Sequence, residues 1–213
     1  MTYEICGELL KFSNLPSCQS TVYSVGWRIL DNHSDTWTSR FNRFKGDNSD
    51  QAGINGCIQL LENGIYTLLK NEGLTAQEVS VTTALSSKAV SHDPNSSLYK
   101  AGNHVCASAS LAWIPDLLAK DAHEPLHDSK SASERETLVN GKYRCTKKLG
   151  SKAVIVIDDF VTRGTTFGEI SRAIAALNPG VRVIGLAIAK HERLSYLPGI
   201  NNNHIPSHWA TSF

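Results

Sequence analysis

The sequence contains no apolar run approaching the ~18–20 residues that a bilayer-spanning helix needs. Residues 1–10 carry neither the basic start nor the apolar stretch of a secretory signal, so the expected setting is cytoplasmic and free of membrane. Charge of one sign is equally lacking: 21 Lys+Arg against 20 Asp+Glu leave a formal net charge of +1. No overall field draws the chain toward nucleic acid or anionic lipid. The five cysteines (Cys6, Cys18, Cys57, Cys106, Cys145) are odd in number and contain no Cys-x-x-Cys pair, which reads as reduced thiols rather than a disulfide framework or zinc knuckle. The close histidine pairs, His123 with His127 and His204 with His208, have no cysteine beside them, and Pro206 spoils helical spacing in the second. They read as loop histidines. Neither Gly-Lys-Ser/Thr nor Gly-x-Gly-x-x-Gly occurs, which excludes a Walker loop and a dinucleotide fingerprint. Internal repeats and low-complexity tracts are also missing.

What remains is an ordinary globular composition, 41% hydrophobic and 19% charged, in 213 residues. That length reads as one domain with embellishments, since domains average roughly 150 residues. Residues 21–30 (TVYSVGWRIL) are β-branched and aromatic and predict a strand, followed by a polar loop to Asp50. From Gly53, the positions Ile54, Cys57, Ile58, Leu61, Ile65 and Leu68 recur at helical spacing, with a stop at residues 71–73. Residues 79–85 predict a strand, and 86–99 a loose segment. A second helix is expected within 102–120, ended or kinked by Pro115. Ser131 and Glu134 have capping-box spacing for a short helix closed by Gly141.

The last third is patterned most clearly. Residues 153–157 (AVIVI) form the continuous β-branched run of a buried parallel strand, followed at once by Asp158 and Asp159. Phe167, Ile170, Ile174 and Leu177 mark a helix face, with Thr166 and Glu169 in capping-box spacing and a stop at residues 178–180. Residues 181–189 predict the next strand. Strand, helix, strand is a parallel crossover, so the expected fold class is α/β with a mainly parallel sheet, and ligands of such sheets sit at the carboxyl ends of the strands.

The segment VIVIDDFVTRGTT, residues 154–166, places chemistry at that edge. A vicinal diol offers two hydroxyl donors, and a carboxylate accepts both. The residues Thr162, Arg163, Gly164, Thr165 and Thr166 then form a loop entering a helix N-terminus, where converging N–H groups, hydroxyls and the helix dipole favour a phosphate. Acids followed by an anion cradle describe a ribose 5-phosphate site. The alternative for the acid pair is a strand end that merely caps a turn.

This segment resembles the phosphoribosyl pyrophosphate (PRPP) signature of type I phosphoribosyltransferases: a hydrophobic strand, two acids, then Thr-x-Gly-x-Thr. The resemblance implies that Asp158 and Asp159 bind the ribose hydroxyls. It assigns the 5-phosphate to Thr162, Arg163, Gly164, Thr165 and Thr166, with Arg163 standing where many members have a small residue or threonine. Upstream, the chain is similar to the competence-protein-F-like branch at Arg43-Phe44-Lys45-Gly46-Asp47 and at Tyr99-Lys100-Ala101-Gly102-Asn103, with Arg135 and Tyr143 in a hood-like stretch. That branch's amino-terminal four-cysteine zinc ribbon is missing. The resemblance covers residues 43–190 and is specific at 154–166.

By the family pattern a second loop binds pyrophosphate. Ser86, Ser87 and Lys88 after the strand at 79–84 fill that place, or else form a solvated turn. Residues 91–100 stand for the family's mobile loop, from which Lys100 would reach the pyrophosphate; as plain surface charges, Lys100, Lys130 and Arg135 would do none of this. Trp113 and Trp209 read as packing residues, with base stacking as the alternative. Cys145 has no histidine partner near it in sequence and is not read as a nucleophile.

The resemblance implies the type I phosphoribosyltransferase fold as a single domain. Residues 1–50 would form an amino-terminal annex or hood region, 51–213 the core, and 126–147 a hood insertion. It also implies a place in nucleotide metabolism: Mg²⁺ held mainly by PRPP and touched by Asp158 and Asp159, and phosphoribose transfer to a nitrogen nucleophile with release of pyrophosphate. A homodimer or larger protein complex fits the family. The sequence names no catalytic base and no acceptor. The alternative is a non-catalytic PRPP- or nucleotide-binding regulatory module acting through protein partners; a role in DNA uptake or defence follows only from association with that branch.

Overall fold

The computed structural model describes residues 3–29, 36–46, 48–122 and 131–193. His123, His127, Lys130, His204, Pro206, His208, Trp209 and Asp47 lie outside the described residues, and of Arg135 only the helical backbone is described. Nine strands and five helices follow in chain order among them: β1 (Glu4–Cys6), β2 (Leu9–Phe12), β3 (Val22–Ile29), α1 (Thr36–Gly46), α2 (Gln51–Glu72), β4 (Val79–Thr83), α3 (Ser97–Ser108), β5 (Ala112–Trp113), β6 (Leu118–Lys120), α4 (Ala132–Val139), β7 (Tyr143–Cys145), β8 (Ala153–Val161), α5 (Thr165–Leu177) and β9 (Arg182–Glu192).

Seven strands form one sheet in the order β1-β2-β3-β9-β8-β4-β5, and β6 pairs with β7 in a separate antiparallel ribbon. From β3 to β5 every pairing is parallel, whereas β1, β2 and β3 are antiparallel. The protein is therefore α/β, with a mostly parallel central sheet flanked by helices. β8 is central because its side chains bury on both faces, as parallel strands must. Ile155 and Ile157 join the layer of α2 and α3. Val154 and Val156 join the layer of α5, where Phe167, Ile170 and Ile174 pack. The helix at 51–72 forms as its spacing predicts, capped by Asp50, whose carboxylate accepts from Gly53 N, and stopped by Gly73 at φ +62°.

Several expectations are corrected. The polar stretch before Asp50 contains α1, because Phe41 and Phe44 lie on one helical face and bury completely. The second helix is α3, earlier than 102–120: Ser96 caps it by accepting from Tyr99 N, and Ser110 at φ +55° follows its end. Residues 112–120 are short extended pieces, with Pro115 in a turn between them. The expected mobile loop at 91–100 runs into α3 from Ser97 onward. Residues 4–29 add three strands to the central sheet. Within residues 126–147 lie α4 and β7, the latter paired to β6. Among the described residues no helix is long and apolar enough to cross a membrane.

Candidate functional site

The site begins where β4 and β8 end side by side. Their last parallel pair is Thr83 with Ile157, and Ala84 N donates to Ile157 O at 2.8 Å. Against β9 the strand β8 continues to Val161, so Asp158 and Asp159 lie inside its paired length and not beyond the strand's end. Alternation starts the two side chains in opposite directions, yet their carboxyl groups stay within hydrogen-bonding reach of each other at the sheet edge.

Asp159 faces α1: its Oδ2 lies 2.9 Å from Lys45 Nζ, and its Oδ1 accepts from Phe160 N at 2.6 Å. Asp158 faces the β6–β7 ribbon. Its Oδ1 accepts from Asp159 N at 2.8 Å, and its carboxyl group lies within hydrogen-bonding reach of the Asp159 carboxyl. Removal from water raises the Asp158 pKa well above the usual carboxylate range, and the adjacent Asp159 charge adds to this; Lys45 opposes both. Lys45 thus belongs to the site. Sequence offered it only as part of a family-like pentapeptide, and only α1, unforeseen as a helix, carries it there.

The loop after β8 is built by tying its carbonyls and releasing its N–H groups. Arg163 O accepts from Ser17 N at 3.0 Å, and Gly164 O accepts from Gly168 N at 2.8 Å. The N–H groups of Arg163, Gly164, Thr165, Thr166 and Phe167 donate to no acceptor among the described residues. Gly164 holds φ +84° as the residue before α5, with Cys18 Cβ only 2.7 Å from where its own Cβ would be. Thr165 and Thr166 are accordingly the first residues of the helix, and the Thr166–Glu169 capping box is not made. Glu169 turns away, accepting from Arg172 Nε and Nη2 at 2.7 Å each and from Tyr143 N at 3.3 Å. Arg163 keeps its Nε buried without a partner. At the end of β9, His191 closes the flank with Nδ1 3.4 Å from Thr162 Oγ1 and Nε2 2.9 Å from Arg28 Nη1.

The loop after β4 is built in the same way. Leu85 O accepts from the Tyr143 hydroxyl at 3.0 Å, Ser86 O from Ala89 N at 3.0 Å, and Ser87 O from Lys120 Nζ at 2.9 Å. The N–H groups of Ser86, Ser87 and Lys88 donate to nothing among the described residues. Consecutive free N–H groups make an anion-binding concavity. Lys100 is engaged elsewhere: it lies on α3 and donates to Asn48 O at 3.0 Å. The structure thus brings Ser86, Ser87 and Lys88 to the same sheet edge as residues 158–166 and keeps Lys100 at the turn before α2. Trp113 packs edge-on against Tyr99, with centroids 5.5 Å apart.

Sequence reasoning missed Lys120 and singled out Tyr143 only as part of a hood. Lys120 is almost fully buried, at 1% exposure, beneath residues 85–88. Burial lowers its pKa to about 8, and Asp158 acts the other way. The signal available in sequence was only a lysine ending a short apolar run, which reads as a surface charge.

No protein-family model and no curated protein matches this chain. The functional reading therefore rests on the geometry.

Among the described residues no group of three or more His, Cys, Asp or Glu side chains could hold a metal ion. A hard cation such as Mg²⁺ takes oxygen ligands and tolerates one or two carboxylates when a phosphorylated ligand supplies the rest. The Asp158 and Asp159 carboxyls, side by side, suit that partial role.

Proposed function

We propose that this protein binds PRPP with Mg²⁺ in a type I phosphoribosyltransferase fold and transfers its phosphoribose to a nitrogen nucleophile, releasing pyrophosphate. The observation that carries the reading is the pair of N–H cradles on neighbouring parallel strands, with two carboxylates between them. Residues 163–167 offer one run of free donors and residues 86–88 another. A single phosphate needs one such cradle. A sugar bearing phosphate at one end and diphosphate at the other needs two, with acceptors for its hydroxyls in the middle.

In this reading the 5-phosphate rests on residues 162–166, the ribose hydroxyls meet Asp158 and Asp159, and the diphosphate lies on residues 86–88. Asp158 and Asp159 would be the protein contacts of a Mg²⁺ held mainly by PRPP, which would supply charge neutralisation for the diphosphate. At C1 the bond to pyrophosphate oxygen breaks and a bond to the acceptor nitrogen forms. The protein contributes position and fixed dipoles rather than a covalent intermediate. Lys45 holds Asp159 in place for this.

The test is calorimetric titration of PRPP with Mg²⁺ into the wild type and an Asp158→Asn, Asp159→Asn double variant, with pyrophosphate release measured across purine, pyrimidine and amine acceptors. Binding lost in the double variant, together with release for one acceptor, is the expected result. Binding without release from any acceptor would favour the regulatory module. A wild type that binds neither PRPP nor ribose 5-phosphate would overturn the reading.

A further inference from the structure

Lys120 presents a physical problem that its surroundings do not resolve. An ammonium removed from water ordinarily requires a counter-ion, because desolvating a charge is strongly unfavourable. Among the described residues no carboxylate lies within ion-pairing distance of Lys120. Its partners are one carbonyl, Ser87 O at 2.9 Å, and the ring of Tyr143, whose centroid lies 5.5 Å from Nζ. Asp158 acts on it through space alone. The positive charge sits against the back of a loop whose front presents three unsatisfied N–H groups.

We propose that Lys120 is the positioning residue of the 85–88 cradle. It draws the Ser87 carbonyl inward, so that the N–H groups of Ser86, Ser87 and Lys88 face the ligand, and it places a charge behind the diphosphate arm of PRPP. This rests on the PRPP reading above and deepens it. Tyr143 is its companion, holding Leu85 O. Both residues lie on the β6–β7 ribbon, which Glu169 and Arg172 anchor to α5 through Tyr143 N and Tyr143 O. The ribbon is therefore the brace that sets the diphosphate loop relative to the 5-phosphate helix. The anion that Lys120 lacks in the protein is the one the loop is shaped to receive.

The groups facing Lys120 are Asp158 from β8 and Tyr143 from β7, with Lys88 on the exposed side of the loop. Tyr143, raised by burial, keeps its proton, and Asp158, raised as well, ionises as pH rises and so can only strengthen its contacts to hydroxyls and Mg²⁺. A loss of PRPP affinity on raising pH, absent with ribose 5-phosphate, therefore belongs to the diphosphate loop. Lys88 and Lys120 are the two amines there; Lys120 is the buried one, and burial lowers its pKa to about 8.

The experiment compares PRPP–Mg²⁺ and ribose 5-phosphate by calorimetry for the wild type, Lys120→Met, Lys120→Arg and Tyr143→Phe, from about pH 7 to about pH 10. Lys120→Met is expected to weaken PRPP by about tenfold or more, as loss of a charge-assisted contact does, and to leave ribose 5-phosphate unchanged. Wild-type affinity for PRPP is expected to fall as pH rises past about 8, while the Met and Arg variants lose that slope and Arg recovers part of the affinity. Tyr143→Phe should weaken PRPP less and keep the slope.

Equal loss for both ligands in Lys120→Met, or a wild-type slope persisting in it, would overturn the proposal. Should that variant fail to fold, a flat wild-type PRPP profile would overturn it by itself. Failure of the wild type to bind either ligand would instead overturn the PRPP reading.

Discussion

Replacing Asp158 by asparagine should make the protein more stable and its ligand weaker. Asp158 carries a charge that folding opposes twice, by taking the carboxylate out of water and by setting it beside Asp159. Like charges on neighbouring groups repel by a few kcal/mol at an effective dielectric of about 20. Lys45 and Lys120 attract Asp158 and return part of this. The amide of asparagine keeps an acceptor for Asp159 N, which Asp158 Oδ1 meets at 2.8 Å, so the backbone turn survives. The net gain should be about 1–2 kcal/mol, the usual range when a functional site is relieved of an unfavourable group. In a chain of this size that raises Tm by roughly 2–8 °C.

The sign with pH follows from the direction of the shift. The Asp158 pKa is higher in the folded protein than in the unfolded chain, so ionisation costs stability as pH rises from the ordinary carboxylate range through the raised value. The advantage of Asp158→Asn should therefore be largest at neutral and alkaline pH and shrink toward zero near about pH 4. Calorimetric melting of both proteins across pH, with PRPP titration at neutral pH, measures both effects. A lower Tm at neutral pH, an advantage that grows on acidification, or unchanged PRPP affinity would refute the reasoning.

The remaining predictions concern the frame around the acids. Lys45→Met removes the cation that opposes the rise in Asp158, so the acidic limb of the PRPP-binding profile should move to higher pH; an unmoved limb would separate α1 from the site. Gly164→Ala meets φ +84° and the Cβ of Cys18 at 2.7 Å, so denaturant unfolding should show a loss of about 2 kcal/mol or more, together with loss of ribose 5-phosphate binding. Phe41→Ala empties a buried position that packs edge-on against Phe160, with centroids 6.4 Å apart, and should cost about 3–5 kcal/mol in urea unfolding. A cost under 1 kcal/mol would mean that the α1 contact is not a core contact.

Much of this protein is legible wherever the local pattern and the tertiary environment agree. The run at 153–157 is apolar at every position because both faces of β8 are covered, and that same fact makes the strand visible in sequence. The helices α2 and α5 show their buried stripes for the same reason. Where a segment buries only two or three side chains, its pattern is diluted. α1 holds Phe41 and Phe44 among arginines, asparagine and lysine, and it reads as loop until the sheet supplies the surface those rings cover. The expected capping box at Thr166 fails because Glu169 has a better partner in Arg172, three residues along the same helix, and in the β7 backbone.

The sequence by itself determined the α/β class, the central strand and the order of acids, glycine and threonines at its end. These are local: chain spacing alone places Asp158, Asp159 and Gly164 within a few residues of a helix start. Only the tertiary structure decided which other groups reach them. Lys45 comes from α1 and Lys120 from β6, 113 and 38 residues before Asp158, and each arrives because its element packs on a different face of the sheet. Whether a lysine is a solvated charge or a buried one depends on what covers it, and that is a property of packing between distant segments, which no local pattern encodes.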